Sequence, residues 1–246
     1  MPDQPESKPE STAEGAAPQI VSREQWIAAR KQLLAREKQL TRLRDEVTRA
    51  RAAMPWVRVE REYVFQGPDG EETLEQLFAG RGQLIVYHFM FDPSWDEGCK
   101  SCSFIADHYN GSVAHLAARD VTLVTVSRAP LAKLEAFRAR MGWGFKWVSS
   151  HGTSFNADYH VSFGEEDKAR GEIDYNYGTA RYFAPEAPGF SVFARDARGV
   201  FHTYSAYARG LDRLITAYHL LDAVPSGRGE AGFGYKMSWL RLHDAY

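Results

Sequence analysis

The first sustained pattern in the chain begins at Ser22. Trp26, Leu33, Leu40, Val47 and Met54 recur at every seventh position, which predicts a helix over residues 20–54 with one apolar stripe, ending before Pro55. Ser22 with Gln25 three residues on reads as its capping box. The other faces alternate basic residues such as Arg30, Lys38 and Arg44 with Glu24, Glu37, Asp45 and Glu46, a solvated surface rather than a basic patch. The stripe has two uses open to it, packing on the rest of the chain or forming the seam of a homodimer. Before it, residues 1–19 are rich in Pro, Ser, Glu and Gly and nearly devoid of apolar side chains, which predicts a disordered tail.

From residue 55 to the end the pattern predicts one α/β domain. "WVRVEREYVFQGPDGEETLEQLFAG" reads as two extended runs, a Gly-Pro-Asp-Gly turn and a short helix capped at Thr73. "QLIVYHFMF" (83–91) and "VTLVTVSR" (121–128) are near-continuous apolar runs of strand length, as in strands buried on both faces. Between them a helical stretch runs from Cys102 toward Arg119 with a break at Asn110-Gly111. "APLAKLEAFRARMG" follows as an amphipathic helix with Leu131, Leu134, Phe137 and Met141 on one face. Strand, helix, strand, helix is the grammar of a parallel sheet. Residues 143–189 are aromatic- and Gly-rich without a period, an excursion over the sheet whose Tyr175, Tyr177, Tyr182 and Phe183 suit a core under a long loop better than a pocket. "GFSVFARDARGVFHTYSAY" (189–207) reads as a hairpin, and a closing helix over 210–223 precedes an aromatic tail.

Composition narrows the functional classes. With 44% hydrophobic residues in 246, a large core is affordable, and the net charge of −2 offers no field for nucleic acid or anionic lipid, so neither partner is expected. No run approaches a membrane span and the first residues lack the basic and apolar segments of a signal peptide, so a cytoplasmic location is expected.

The chemistry concentrates in "DPSWDEGCKSCSF". The two cysteines, Cys99 and Cys102, form a C-x-x-C just after a buried strand and at the opening of a helix. Backbone N–H groups there favour a thiolate on Cys99, and Cys102 lies close enough to attack a mixed disulfide formed on it. Such spacing points to a dithiol–disulfide couple with Cys99 as nucleophile and Cys102 as resolving thiol. Its partners would be a disulfide-bearing protein or small-molecule thiol and an external thiol reductant, with no cofactor. A thiol peroxidase at Cys99 is an alternative. A non-enzymatic metal- or ligand-binding protein is another; as a metal half-site the pair would need two of His108, His115, His151 and His160 to join it. Supporting candidates are Trp95 as a wall, Lys100 as a cation lowering the Cys99 pKa against Asp96 and Glu97, and His88, since "LIVYHF" resembles the thioredoxin strand that carries a buried acid and puts His88 at or near that position. Pro188, directly before "GFSVF", stands where thioredoxin-like domains, which this stretch resembles, place a cis-proline, so the Ala187-Pro188 bond is expected to be cis and to present its backbone to substrate.

The run "CKSCSFIADHYNGSVAHLAARDVTLVTVSRAPLAKLEAFRARMGWGFKWVSS", with "PGFSVFARDARGVFHTYSAYARGLDRL" after it, resembles the thioredoxin-like family catalogued as domain of unknown function 899, described as predicted dithiol-disulfide oxidoreductases. The resemblance covers about residue 22 to the end. It implies a thioredoxin-like mixed sheet flanked by helices with an added N-terminal helix, and a redox pair at Cys99 and Cys102. More distantly, "YVFQGPDGEETLEQLFAGRGQLIVYHF" and "PGFSVFARDARGV" look like peroxiredoxin segments. The Thr-x-x-Cys arrangement of those enzymes is absent, since Asp96, Glu97 and Gly98 precede Cys99.

Overall fold

A computed structural model of the chain describes residues 18–246. Of the tail expected over 1–19, all but the last two positions lie outside the described residues. The chain forms two units, one ending at Ala53 and one from Met54 to Tyr246.

The described residues of the first unit hold one helix, α1 (Arg23–Ala52), opened by the expected capping box: Ser22 Oγ accepts the Gln25 N–H at 3.3 Å and Gln25 Oε1 accepts the Ser22 N–H at 3.0 Å. None of its residues is buried, the apolar stripe included.

The second unit contains, in chain order, β1 (Val57–Arg58), β2 (Val64–Gly67), β3 (Gly70–Thr73), β4 (Gln83–His88), α2 (Lys100–Ala106), α3 (Val113–Ala117), β5 (Val121–Ser127) and α4 (Leu131–Arg140). Then come β6 (Lys146–Ser149), α5 (Phe155–Asp158), α6 (Glu165–Arg170), β7 (Glu172–Tyr175), β8 (Gly178–Arg181), β9 (Gly189–Asp196), β10 (Gly199–Tyr207) and α7 (Thr216–Leu221). Eight strands make one mixed sheet in the order β1-β10-β9-β4-β5-β6-β2-β3; β7 and β8 pair apart as a small hairpin. The chain β4, β5, β6 is parallel, and β9 runs antiparallel beside β4. Three parallel strands with an antiparallel hairpin, β9–β10, added beside β4, and helices on the faces, is the thioredoxin-like arrangement. β4 is its central strand.

Strand alternation then divides the interior. Successive side chains of β4 point to opposite faces. Leu84 and Val86 join Phe65, Val124, Val126, Val148, Phe155 and Phe193 on one side. Tyr87, followed by Phe89 and Phe91, joins Cys102, Ile105, Phe137, Trp143 and Trp147 on the other. Most of these are fully buried, and each contributes about 1.5–3 kcal/mol relative to exposure.

Local chemistry sets the element ends. The break between α2 and α3 falls at Asn110-Gly111, where the Asn110 side chain is spent on tertiary bonds to Gly142 O and the Gly144 N–H. The helix expected after Thr73 is only a 3-10 turn, Gln76–Phe78, though Thr73 Oγ1 does accept the Gln76 N–H at 3.2 Å. The helix expected over 210–223 is split into a 3-10 segment, Ala208–Leu214, and α7, because Ile215 turns extended to bury itself beside Leu211. The aperiodic stretch 143–189 holds β6, two short helices and the β7–β8 hairpin. There Tyr175 is buried in a small core with Val161, Phe163 and Tyr207, whereas Tyr177 and Phe183 are exposed.

Candidate functional site

Residues 89–99 leave β4, cross over the start of α4, and return to open α2. The crossing is pinned by backbone and side-chain bonds: Ala129 N–H to Phe91 O, and Lys133 Nζ to the Pro93 and Trp95 carbonyls, each at 2.9 Å or less. Trp95, half-buried, packs on the core beneath and walls this loop. Gly98 is required by space: a Cβ there would lie 2.7 Å from the Phe89 ring and 2.9 Å from the Phe137 ring. Any side chain would displace the next residue, Cys99.

Cys99 is the N-cap of α2 and is half-buried; Cys102, one turn on, is fully buried, and both are free thiols. Their surroundings separate their acidities. The Cys102 thiol donates to Cys99, and the N–H groups of Cys102 and Ser101 with the Ser101 hydroxyl add to it, so that Cys99 falls to about 7 although burial opposes this. Burial pushes Cys102 well above the ordinary thiol range, and its bond to Cys99 and the charge there push it the same way. A half-buried thiol lowered toward neutrality thus lies beside a fully buried one held protonated.

Lys100 is exposed, and the lowering at Cys99 comes from hydrogen bonds rather than from this cation. Glu97 is engaged by Arg140 at 2.5 Å. His88 lies on the opposite face of the sheet from the cysteines. It stacks on Tyr159 and bonds Ser191 Oγ at 2.8 Å, from which a buried chain runs through Ser205 to His202. Desolvation, with His202 nearby, lowers its pKa to about 3 and keeps it neutral. Tyr87, one position earlier, is the β4 residue that faces the pair, its hydroxyl 3.4 Å from the Cys102 carbonyl. The signal was available in the two-residue period of the strand, read from Phe89 and Phe91 backward.

The Ala187–Pro188 bond is trans, contrary to expectation. Extended pairing of this segment with residues 161–163, through Ala187 N–H to Val161 O and a bridge between Ser162 and Glu186, carries the chain straight into β9. The Pro188 carbonyl already accepts the Tyr175 hydroxyl at 2.8 Å, so it is not a free acceptor. Of the histidines considered as metal ligands, His108 Nε2 accepts the Ala217 N–H and His151 Nδ1 is turned to the Arg128 carbonyl. Among the described residues no three His, Cys, Asp or Glu side chains gather as a metal site.

Two features were invisible in the sequence. Arg128, at the end of β5, clamps Asp92 of the cysteine loop and the fully buried Glu186 before β9, the latter at 2.6 Å, while Ser162 Oγ donates to the same carboxylate. The clamp ties the loop carrying the cysteines to the strand beside β4. The aromatic tail folds back on α2: Trp239 packs on Phe104, His243 bonds Asp107, and the Tyr235 hydroxyl lies 3.1 Å from Ser101 Oγ, between the two cysteines. Beside it lies an open cavity of about 980 Å³ lined by Tyr218, Phe233, Tyr235, Lys236 and Met237 among others.

The family model described as "Bacterial protein of unknown function (DUF899)" matches residues 15–246. The chain belongs to this family. The matched residues include α1, the cysteine pair and the aromatic tail. No curated protein matches the chain. Among solved structures it is similar to the peroxidoxin BcpB from Mycobacterium tuberculosis, at 14% identity over 66% of this chain and 93% of that one, with a TM-score of 0.45. Similarity is also found to peroxiredoxin Q from Xanthomonas campestris, at 14% identity over 64% and 90% and a TM-score of 0.41. A hypothetical protein from Sinorhizobium meliloti 1021 gives 14%, 63%, 71% and 0.39 in the same order. No helix of the described residues is long and apolar enough to cross a membrane.

Proposed function

We propose that the chain is a thiol–disulfide oxidoreductase that reduces disulfides through Cys99 and Cys102. The Cys99 thiolate attacks one sulfur of the substrate disulfide, forming a mixed disulfide and expelling the first thiol. Cys102 then attacks Cys99, releasing the second thiol and leaving an intramolecular disulfide that an external thiol reductant reopens. The observation that carries the reading is the asymmetry of the pair: Cys99 half-exposed and lowered to about 7, Cys102 buried and raised. Tyr235, whose hydroxyl lies 3.1 Å from Ser101 between the cysteines, also lines the 980 Å³ cavity, which would take the non-reacting part of a substrate.

The test is a redox titration in thiol–disulfide buffers, quenched by alkylation and read by mass. A reversible two-electron transition between roughly −120 and −270 mV establishes the couple. Cys99→Ser abolishes turnover and Cys102→Ser accumulates mixed disulfides; full turnover by the Cys99→Ser protein would sink the proposal. Consumption of hydrogen peroxide far faster than by a free thiol would move the reading to a thiol peroxidase.

A further inference from the structure

We propose that Tyr87 is a positioning residue for the resolving step, its hydroxyl holding the Cys102 sulfur as that sulfur ionises and attacks Cys99. The inference rests on the dithiol reading of the pair and adds a role for a residue that touches only the second thiol. Tyr87 is completely buried near the C-terminal end of β4; its hydroxyl donates to the Cys102 carbonyl at 3.4 Å and lies close enough to the Cys102 thiol to lower the pKa of that thiol. The Met90 N–H is the other protein donor to that sulfur. Around them the faces are apolar or phenolic: Ile105 and Phe89 pack beside Cys102, and Tyr109 stands edge-on to Tyr87 with ring centroids 5.3 Å apart. The titratable groups that bear on Cys102 are Cys99 from its own turn, Tyr87 from β4, Tyr109 from beyond α2 and Tyr175 from β7. None of these is a cation.

A thiol in such surroundings needs a donor to become a thiolate, because desolvation penalises the charge and no positive group offsets it. Tyr87 can serve as such a donor beside the Met90 N–H, its hydroxyl turning from the Cys102 carbonyl to the sulfur as charge grows there. Burial holds its phenol far above the ordinary tyrosine range, so it keeps its own proton throughout. In the step, the Cys102 sulfur bonds to the Cys99 sulfur, and the bond from Cys99 to the substrate sulfur breaks with its electron pair. The Cys102 proton leaves on the departing thiol, so the pair is oxidised to a disulfide and the substrate half reduced to a thiol. The Tyr87 hydroxyl bonds Cys102 more strongly as charge grows on it, which favours the transition state over the resting thiol. Tyr109 differs: its hydroxyl is buried without a hydrogen-bond partner, and it contributes ring packing alone.

The experiment is reduced full-length protein mixed with dithiobis(nitrobenzoate), whose two successive releases of coloured thiolate report Cys99 attack and Cys102 resolution separately. In Tyr87→Phe, which keeps the ring, the first release stays at the wild-type rate while the second slows about ten-fold or more and its pH midpoint moves up. Tyr109→Phe leaves both releases unchanged, and 3-fluorotyrosine at position 87, a stronger donor in the same ring, speeds the second. Two releases in the wild type with an unaltered second release in Tyr87→Phe would overturn the assignment of Tyr87, as would equal slowing of both. A single release in the wild type would instead overturn the dithiol reading, and the proposal with it.

Discussion

Replacing Cys102 by alanine removes the donor that does most to lower the pKa of Cys99. The folded protein holds Cys99 at about 7 against an ordinary value of 9.0, a difference worth about 3 kcal/mol at 1.36 kcal/mol per pKa unit. The Cys102 thiol is the foremost of its causes, and the N–H groups of Ser101 and Cys102 survive the substitution. Losing about a third to a half of the support raises the midpoint by about one pH unit, which cuts the thiolate fraction at pH 7 from about one half to about one tenth. A more basic thiolate is also a better nucleophile, by about three-fold per unit at a Brønsted slope of 0.4–0.5. Cys102→Ala therefore alkylates about two-fold more slowly than wild type at pH 7 and about three-fold faster on the high-pH plateau, so the two rate profiles cross. Iodoacetamide rates at Cys99 followed by mass from about pH 5 to pH 10 resolve this. Cys102→Ser, whose hydroxyl can still donate, keeps a midpoint nearer wild type. A wild-type midpoint near 9, or profiles for wild type and Cys102→Ala that coincide, would refute the account of how Cys99 is activated.

Three further outcomes follow from the same geometry. His88 is neutral when folded, with a pKa of about 3 against 6.5 unfolded, so the unfolded chain binds the extra proton below about pH 6.5 and stability falls as pH drops toward 3. At about pH 4.5 this costs about 2.5 kcal/mol relative to pH 7, and urea unfolding of His88→Gln should show a pH dependence shallower by that amount; identical slopes would remove His88 as the cause. Arg128→Met leaves Glu186 buried without its cation and should lower stability by about 2–4 kcal/mol, while Arg128→Met with Glu186→Gln recovers part of it. Gly98→Ala drives a methyl into the Phe89 and Phe137 rings and should cost about 1–3 kcal/mol while slowing Cys99 alkylation; wild-type values for both would mean that the loop relaxes freely.

The sequence by itself determined the elements whose chemistry is local. Ser22 and Gln25 cap α1, Asn110-Gly111 parts α2 from α3, the Gly-Pro-Asp-Gly and Asp-Ala-Arg-Gly turns make their hairpins, and apolar runs mark β4 and β5. Hydrogen bonds and periods within a few residues decide such features, so they are written in consecutive letters. It also placed two thiols one turn apart on the same helix. What surrounds those thiols was settled only by the tertiary structure, because every group involved comes from a distant part of the chain. Tyr87 rather than His88 faces Cys102 because strand parity relative to the helix layer chooses the face, and a one-residue slip exchanges the two. Pro188 is trans and its carbonyl taken because residues 161–163 pair with the segment before β9, an alignment across more than twenty residues. Arg128 meets Asp92 and Glu186, and Tyr235 meets Ser101 across 134 residues, only once the sheet order brings them together. Burial and the donors that burial gathers make one thiol acidic and the other basic, and no spacing of letters carries that information.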